Sequence, residues 1–358
     1  LGGFRTYQNR IFMTTKQQKR TDISTLGEFG LIERLTADLK TLRSTTMYGV
    51  GDDAAVLDPG GQMILISTDL LLEGIHFSLV YTPLKHLGYK SVVVNLSDIY
   101  AMNAEPTQVT VSIGVSSRFC LEDLEEFYNG IKLACQSYNV DLVGGDTSSS
   151  LTGLNISVTV IGTALKEDLV FRKGASEHDL ICVSGDLGGA YMGLQLLERE
   201  RKLFEEEMAA QKSLEGHEFI IARQLKPEAR GDIIKLFKEH DIKPTAMIDL
   251  SDGLSSDLLH ITRACGLGCH IYADKIPIAD ATRQMAEEFK IEPLIAALNG
   301  GEDYELLFTI APDDYEKVQA IQDVRIIGHM THTSNGNKLM AQDGTAVNLQ
   351  AQGWKHME

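Results

Sequence analysis

Short apolar runs such as MILIST, TQVTVSIGV, LNISVTVIGTA, DLICVSG and MIDL are interleaved along this chain with longer stretches whose apolar residues return every three or four positions. The first pattern marks strands and the second marks amphipathic helices. Interleaving the two along most of a chain restricts it to α/β layers, with helices packed against sheets. At 358 residues there is room for two such units with separate cores.

In residues 27–40, Phe29, Ile32, Leu35 and Leu39 stand at helical spacing, predicting a first helix. The run HLGYKSVVVNLSDIYAMNAE is ambiguous, since Val92, Val93 and Val94 favour a strand locally. Val92, Leu96, Ile99 and Met102 nevertheless hold a period near 3.6, which predicts a helix with Asn95 and Asp98 on one face. LEDLEEFYNGIKLACQSYN reads as an amphipathic helix ending near Asn139, and VDLVGGDTSS as a short strand running into a glycine turn. Gly266 is the expected C-terminal cap of a helix in GLSSDLLHITRACG. The pattern pauses at LKEDLVFRKG, which places a boundary between an N-terminal domain, 23–165, and a C-terminal α/β domain, 166–358. Residues 1–22 are polar, basic and aperiodic, and read as a flexible extension with Met13 a candidate initiator; the charged segment 198–219 reads as a solvated helical surface.

Composition removes several function classes. Thirty-three Lys and Arg against fifty Asp and Glu give a net charge of −17 with no basic patch, so no nucleic-acid partner is expected. No apolar run approaches the ~20 residues that span a bilayer, so no membrane association is expected either. Without a signal-like segment, the cytoplasm is the expected location. The five cysteines are scattered and read as reduced core residues; Cys265 and Cys269 form a C-x₃-C with no second pair for zinc.

Aspartates recur where apolar elements end. GDDAAVL, STDLLLEGIHF, VNLSD, LVGGDTSS and IDLSDGL each carry one beside Ser, Thr or Gly. Any one alone is ordinary turn or helix-cap chemistry. Together Asp53, Asp69, Asp98, Asp146, Asp249 and Asp252, with hydroxyls at Ser67, Thr68 and Ser251, form an oxygen-only donor set suited to a hard cation such as Mg²⁺. No EF-hand loop, G-x₄-G-K-[ST], H-R-D or D-F-G motif is present.

With GGEDYELLFT, these blocks resemble, in order and over nearly the whole chain, the thiamine-monophosphate kinase family within the aminoimidazole-ribonucleotide-synthetase-like ATP enzymes. The resemblance implies two α/β domains, the N-terminal sheet pairing across a homodimer, and transfer of the γ-phosphoryl of ATP to thiamine phosphate. It implies several Mg²⁺ ions held by Asp53, Ser67, Thr68, Asp69, Asp98, Asp146, Asp249 and Asp252, directly or through water. It further implies ATP contacts at Tyr128, Gly145, Asp146, Arg172 and Ser251, and thiamine-phosphate contacts at His76, Glu302 and Trp354, with no residue acting as general base. Asp52 is expected to brace the turn beside Asp53. Asn103 stands where the family commonly has glycine. Another ATP enzyme of the same superfamily and a non-catalytic nucleotide or divalent-metal binding protein are the alternatives; selenophosphate synthesis would need a cysteine near the first Gly-rich segment, and none precedes Cys120.

Overall fold

The computed structural model describes residues 43–205 and 214–351, together with Gly30, Ile32, Glu33, Thr36 and Ala37. Of the first expected helix, Gly30, Ile32, Glu33 and Thr36 are helical. The remainder of that helix, the 1–22 extension, part of the charged segment and Trp354 lie outside the described residues. Thr41–Trp354 forms one compact unit, to which all that follows refers.

Two sheets make up this unit. The first contains β1 (Thr46–Tyr48), β2 (Ala55–Leu57), β3 (Met63–Leu72), β4 (Glu105–Val115), β5 (Asp141–Ser149) and β6 (Leu154–Ala164), in the order β1-β2-β3-β6-β4-β5. Its pairs are antiparallel except β4–β5. The second contains β7 (Leu180–Ser184), β8 (Ala246–Asp249), β9 (Gly268–Tyr272), β10 (Leu306–Ile310), β11 (Val324–Thr331), β12 (Asn337–Met340) and β13 (Ala346–Asn348). Their order is β13-β12-β9-β11-β7-β10-β8, with only the β12–β9 pair parallel. β6 alternates buried and half-buried residues along its whole length, as a strand with one face on the core must.

The helix Leu84–Ala101 lies between the sheets, packed against β3, β4 and β6 on one side and β8 on the other. Fourteen of its eighteen residues are buried, which is why Val92, Val93 and Val94 blur its period: a helix covered on most sides needs no narrow apolar stripe. Its neighbour Leu121–Tyr138 crosses it at two glycines. A Cβ on Gly88 would stand 2.0 Å from the Phe127 carbonyl oxygen, and one on Gly130 would stand 1.9 Å from that of Lys85. Gly130→Ala should therefore push the helices apart and cost about 1–3 kcal/mol, read as a lowered midpoint in chemical denaturation.

Two local expectations change. The segment read as a glycine turn, LVGGDTSS, is instead the body of β5, an edge strand with every residue exposed. Gly145 marks a close approach to β4 rather than a reversal. Cys120 is exposed just before the helix Leu121–Tyr138, not in the core. Asn103, at φ 55°, holds the left-handed conformation that glycine would take, and its Nδ2 donates to the Asp168 carbonyl at 2.8 Å. Asn139 and Gly266 cap their helices in the same left-handed conformation.

Candidate active site

Three elements deliver carboxylates to one point. Asp53 comes from the turn before β2, Asp98 from the helix Leu84–Ala101 and Asp249 from the end of β8, with carboxylate oxygens all within 4.8 Å of one another. The period of two along β3 sends Ser67 and Asp69 toward this helix. Ser67 Oγ donates to Asp98 Oδ2 at 2.5 Å, and the Asp69 N–H donates to Asn95 Oδ1 at 3.0 Å. Asn95 and Asp98 thus share a helix face, as their spacing predicts.

Crowded, buried carboxylates resist ionisation together. Burial first, then Asp69, Asp249 and Asp53, hold Asp98 well above the usual carboxylate range. Asp249 is pushed up to about 8 by burial and then by Asp53, and Asp69 to about 6 by burial. Arg172 offsets part of this charge: its Nη2 and Nε fork onto the two Asp53 oxygens at 2.8 and 3.1 Å. Its backbone N–H donates to Asp52 Oδ2 at 3.2 Å, so Asp52 ties the turn to residue 172 while Asp53 faces the cluster.

The loop after β8 and the block GGEDYE meet alongside. The Glu302 N–H donates to the Ser251 carbonyl at 2.8 Å and the Tyr304 N–H to that of Leu250 at 2.9 Å. The Asp252 N–H donates to Asp257 Oδ2 at 3.2 Å. Asp257, buried and held above the usual range by burial and then Asp252, was missed by sequence reasoning although it stands in IDLSDGLSSDL. Tyr304, whose hydroxyl is raised by burial and by Glu302, Asp69, Asp249 and Asp98, was missed too; GGEDYE was the available signal.

The remaining predicted residues lie elsewhere or differently. Thr68 turns to the opposite face of β3, its hydroxyl donating to the Val158 carbonyl at 3.0 Å, so only its backbone faces the cluster side. Tyr128 is half-buried, edge-on to Phe127 at 5.8 Å between ring centroids. His76 Nδ1 accepts the Leu72 N–H at 3.0 Å in the turn after β3. Gly145 and Asp146 lie on exposed β5, and the register Asp69–Val158–Val111–Gly145 puts three strand spacings, about 14 Å, between Asp69 and that strand.

An all-oxygen cluster of buried, mutually repelling carboxylates fits a hard divalent cation. Asp53, Asp98 and Asp249 meet that requirement, and Asp98 and Asp249 have no ion pair among the described residues. Among the same residues no helix is long and apolar enough to cross a membrane.

Residues 51–164 match the family described as AIR synthase related protein, N-terminal domain. Thiamine-monophosphate kinase of Aquifex aeolicus (strain VF5) is 34% identical over 331 residues, covering 92% of this chain and 98% of that protein. Thiamine-monophosphate kinase of Bacillus subtilis (strain 168) is 31% identical over 343 residues, covering 93% and 100%. A solved structure of AaThiL complexed with AMPPCP and TMP superposes with a TM-score of 0.81 at 32% identity, covering 95% of this chain and all of that one.

Proposed function

Because this chain belongs to the thiamine-monophosphate kinase family, we infer that it transfers the γ-phosphoryl group of ATP to thiamine phosphate, giving thiamine diphosphate. The observation that carries this to the residues is the cluster of Asp53, Asp98 and Asp249 between the two sheets. Asp53, Asp98 and Asp249, with Asp69, would hold Mg²⁺; Ser67, the backbone of Thr68 and Asp252 would complete these sites directly or through water, and Asp146, about 14 Å away across the sheet, would hold a separate ion. Bound there, the ions supply the positive charge that lets two anionic phosphates approach.

The acceptor is a phosphate oxygen already ionised near neutral pH, so no side chain need remove a proton. What the protein contributes is position and electrostatics. Arg172, held beside the cluster by Asp53, adds fixed positive charge where the nucleotide phosphates would lie. Ser251, Gly145 and Tyr128 would contact ATP, and His76, Glu302 and Trp354 would contact thiamine phosphate. Incubation with ATP, Mg²⁺ and thiamine phosphate should yield thiamine diphosphate and ADP in equal amounts; ADP without thiamine diphosphate would contradict the reading.

The same reading divides the chain into a metal- and ATP-binding dimerisation domain, 23–165, and a C-terminal α/β domain, 166–358, with a homodimer formed through the first. The support is β5, an uncovered edge on which Leu142 and Val143 are 38% and 57% exposed, a surface that solitary proteins ordinarily protect. Pairing there would bring Gly145 and Asp146 to a shared boundary between subunits. Sedimentation at micromolar concentration should give twice the chain mass, and full activity in a strictly monomeric sample would contradict the shared site.

A further inference from the structure

Lys90 is a charged residue in the middle of a buried helix, only 4% exposed. Such a group is expensive to bury unless its three donors are used. Its Nζ meets Glu302 Oε1 at 3.0 Å and donates to the Gln224 carbonyl at 2.9 Å. Gln224, 5% exposed, in turn donates its Nε2 to Glu302 Oε2 at 2.7 Å. That orientation leaves Gln224 Oε1 buried with no hydrogen-bond partner. The amide is thus turned to suit the Glu302 carboxylate at a cost to itself. Glu302, at φ 58°, also has its backbone fixed, by the hydrogen bond to Ser251 beside the carboxylate cluster.

We propose that Lys90 and Gln224 are positioning residues that hold the Glu302 carboxylate as a fixed acceptor, and that this acceptor selects a substrate bearing an N–H donor at the end remote from its phosphate. The proposal rests on the functional reading above. A carboxylate held between an ammonium and an amide N–H is fixed in place and offers its remaining lone pairs to a donor. The exocyclic amine of the pyrimidine ring is the N–H donor that thiamine phosphate offers. The helix supplies the spacing: Lys90 and Ser97, seven residues and about 10 Å apart along the axis, lie on one face, with Ser97 next to Asp98 of the cluster. One rigid element therefore sets the separation between the phosphate end of the site and Glu302.

The test compares thiamine phosphate with oxythiamine phosphate, in which a carbonyl oxygen replaces the amine. The unmodified chain should strongly prefer the amine, because the oxo analogue faces an acceptor with an acceptor. Lys90→Met removes the charge at similar length. It should raise the KM for thiamine phosphate roughly 10- to 100-fold, with kcat and the KM for ATP little changed, and narrow the preference over the oxo analogue by a similar factor. Gln224→Met, which leaves Lys90 in place, should shift both quantities in the same direction by less, and serves where Lys90→Met fails to fold. If the folded variants weaken both analogues equally, or lower kcat with KM unchanged, the positioning role is wrong. If the unmodified chain forms no thiamine diphosphate, the functional reading fails and this inference with it.

Discussion

Replacing Asp98 by asparagine should lower turnover by roughly 100- to 1,000-fold while raising the melting temperature of the ion-free protein. The first effect follows from removing a charged ligand from the centre of the proposed metal cluster, where fixed electrostatics carry most of the catalysis. The second follows from burial. Asp98 is held well above the usual carboxylate range, so its charged form is less stable in the folded chain than in the unfolded one. That penalty grows as the pH rises from the ordinary carboxylate value of the unfolded chain to the raised value of the folded one, and is gone below the former. Asparagine keeps the shape, can still accept from Ser67 Oγ, and removes the repulsion from Asp69, Asp249 and Asp53. Activity and stability should therefore move in opposite directions, the mark of a site whose strain serves function. Thermal melts and steady-state rates on the same sample check this, along with the Mg²⁺-dependent rise in melting temperature, which the variant should largely lose. A variant that melts lower and retains its rate would remove Asp98 from the site.

Gly145→Ala should cost about 100-fold in activity with only modest loss of stability. A Cβ there would lie 1.8 Å from the Val111 carbonyl oxygen and 2.7 Å from its carbon, both backbone atoms that cannot step aside. β5 must then move off β4, taking Asp146 with it, and a displacement near 1 Å is enough for such a loss. The inner strands of the sheet, β3, β6 and β4, keep their own pairing, so the stability cost should stay near ~1–3 kcal/mol. Gly144→Ala is the control, because its Cβ would meet nothing closer than Thr110 Cγ2 at 4.0 Å. Equal activity in the two variants would show that the position of β5 is irrelevant to turnover.

Much of the architecture was legible because period and burial agree. Alternation in β6 and the helical spacing of Leu121–Tyr138 each point one way. The sequence was least legible where burial is extreme. The helix Leu84–Ala101 is covered on most sides and so carries a weak stripe, while β5 is exposed throughout and carries no alternation at all. Asp53, Asp98 and Asp249 could be singled out because each ends or interrupts an apolar run, but their convergence within 4.8 Å depends on a helix packed between two sheets. The opposite orientation of Thr68 was available from strand period alone, since Ser67 and Asp69 cannot share its face. The Lys90–Glu302–Gln224 contact was not: it joins residues 78 and 134 positions apart, and neither a lone lysine in a helix nor a glutamine signals such a partner.

The central claim is direct phosphoryl transfer to thiamine phosphate at the carboxylate cluster. Its most direct test follows label from γ-³²P-ATP in the unmodified chain and in Asp98→Asn, with Mg²⁺ and thiamine phosphate present. The account predicts label in the terminal phosphate of thiamine diphosphate for the first and a rate at least 100-fold lower for the second. Label released only as inorganic phosphate, or equal transfer by both proteins, would contradict it.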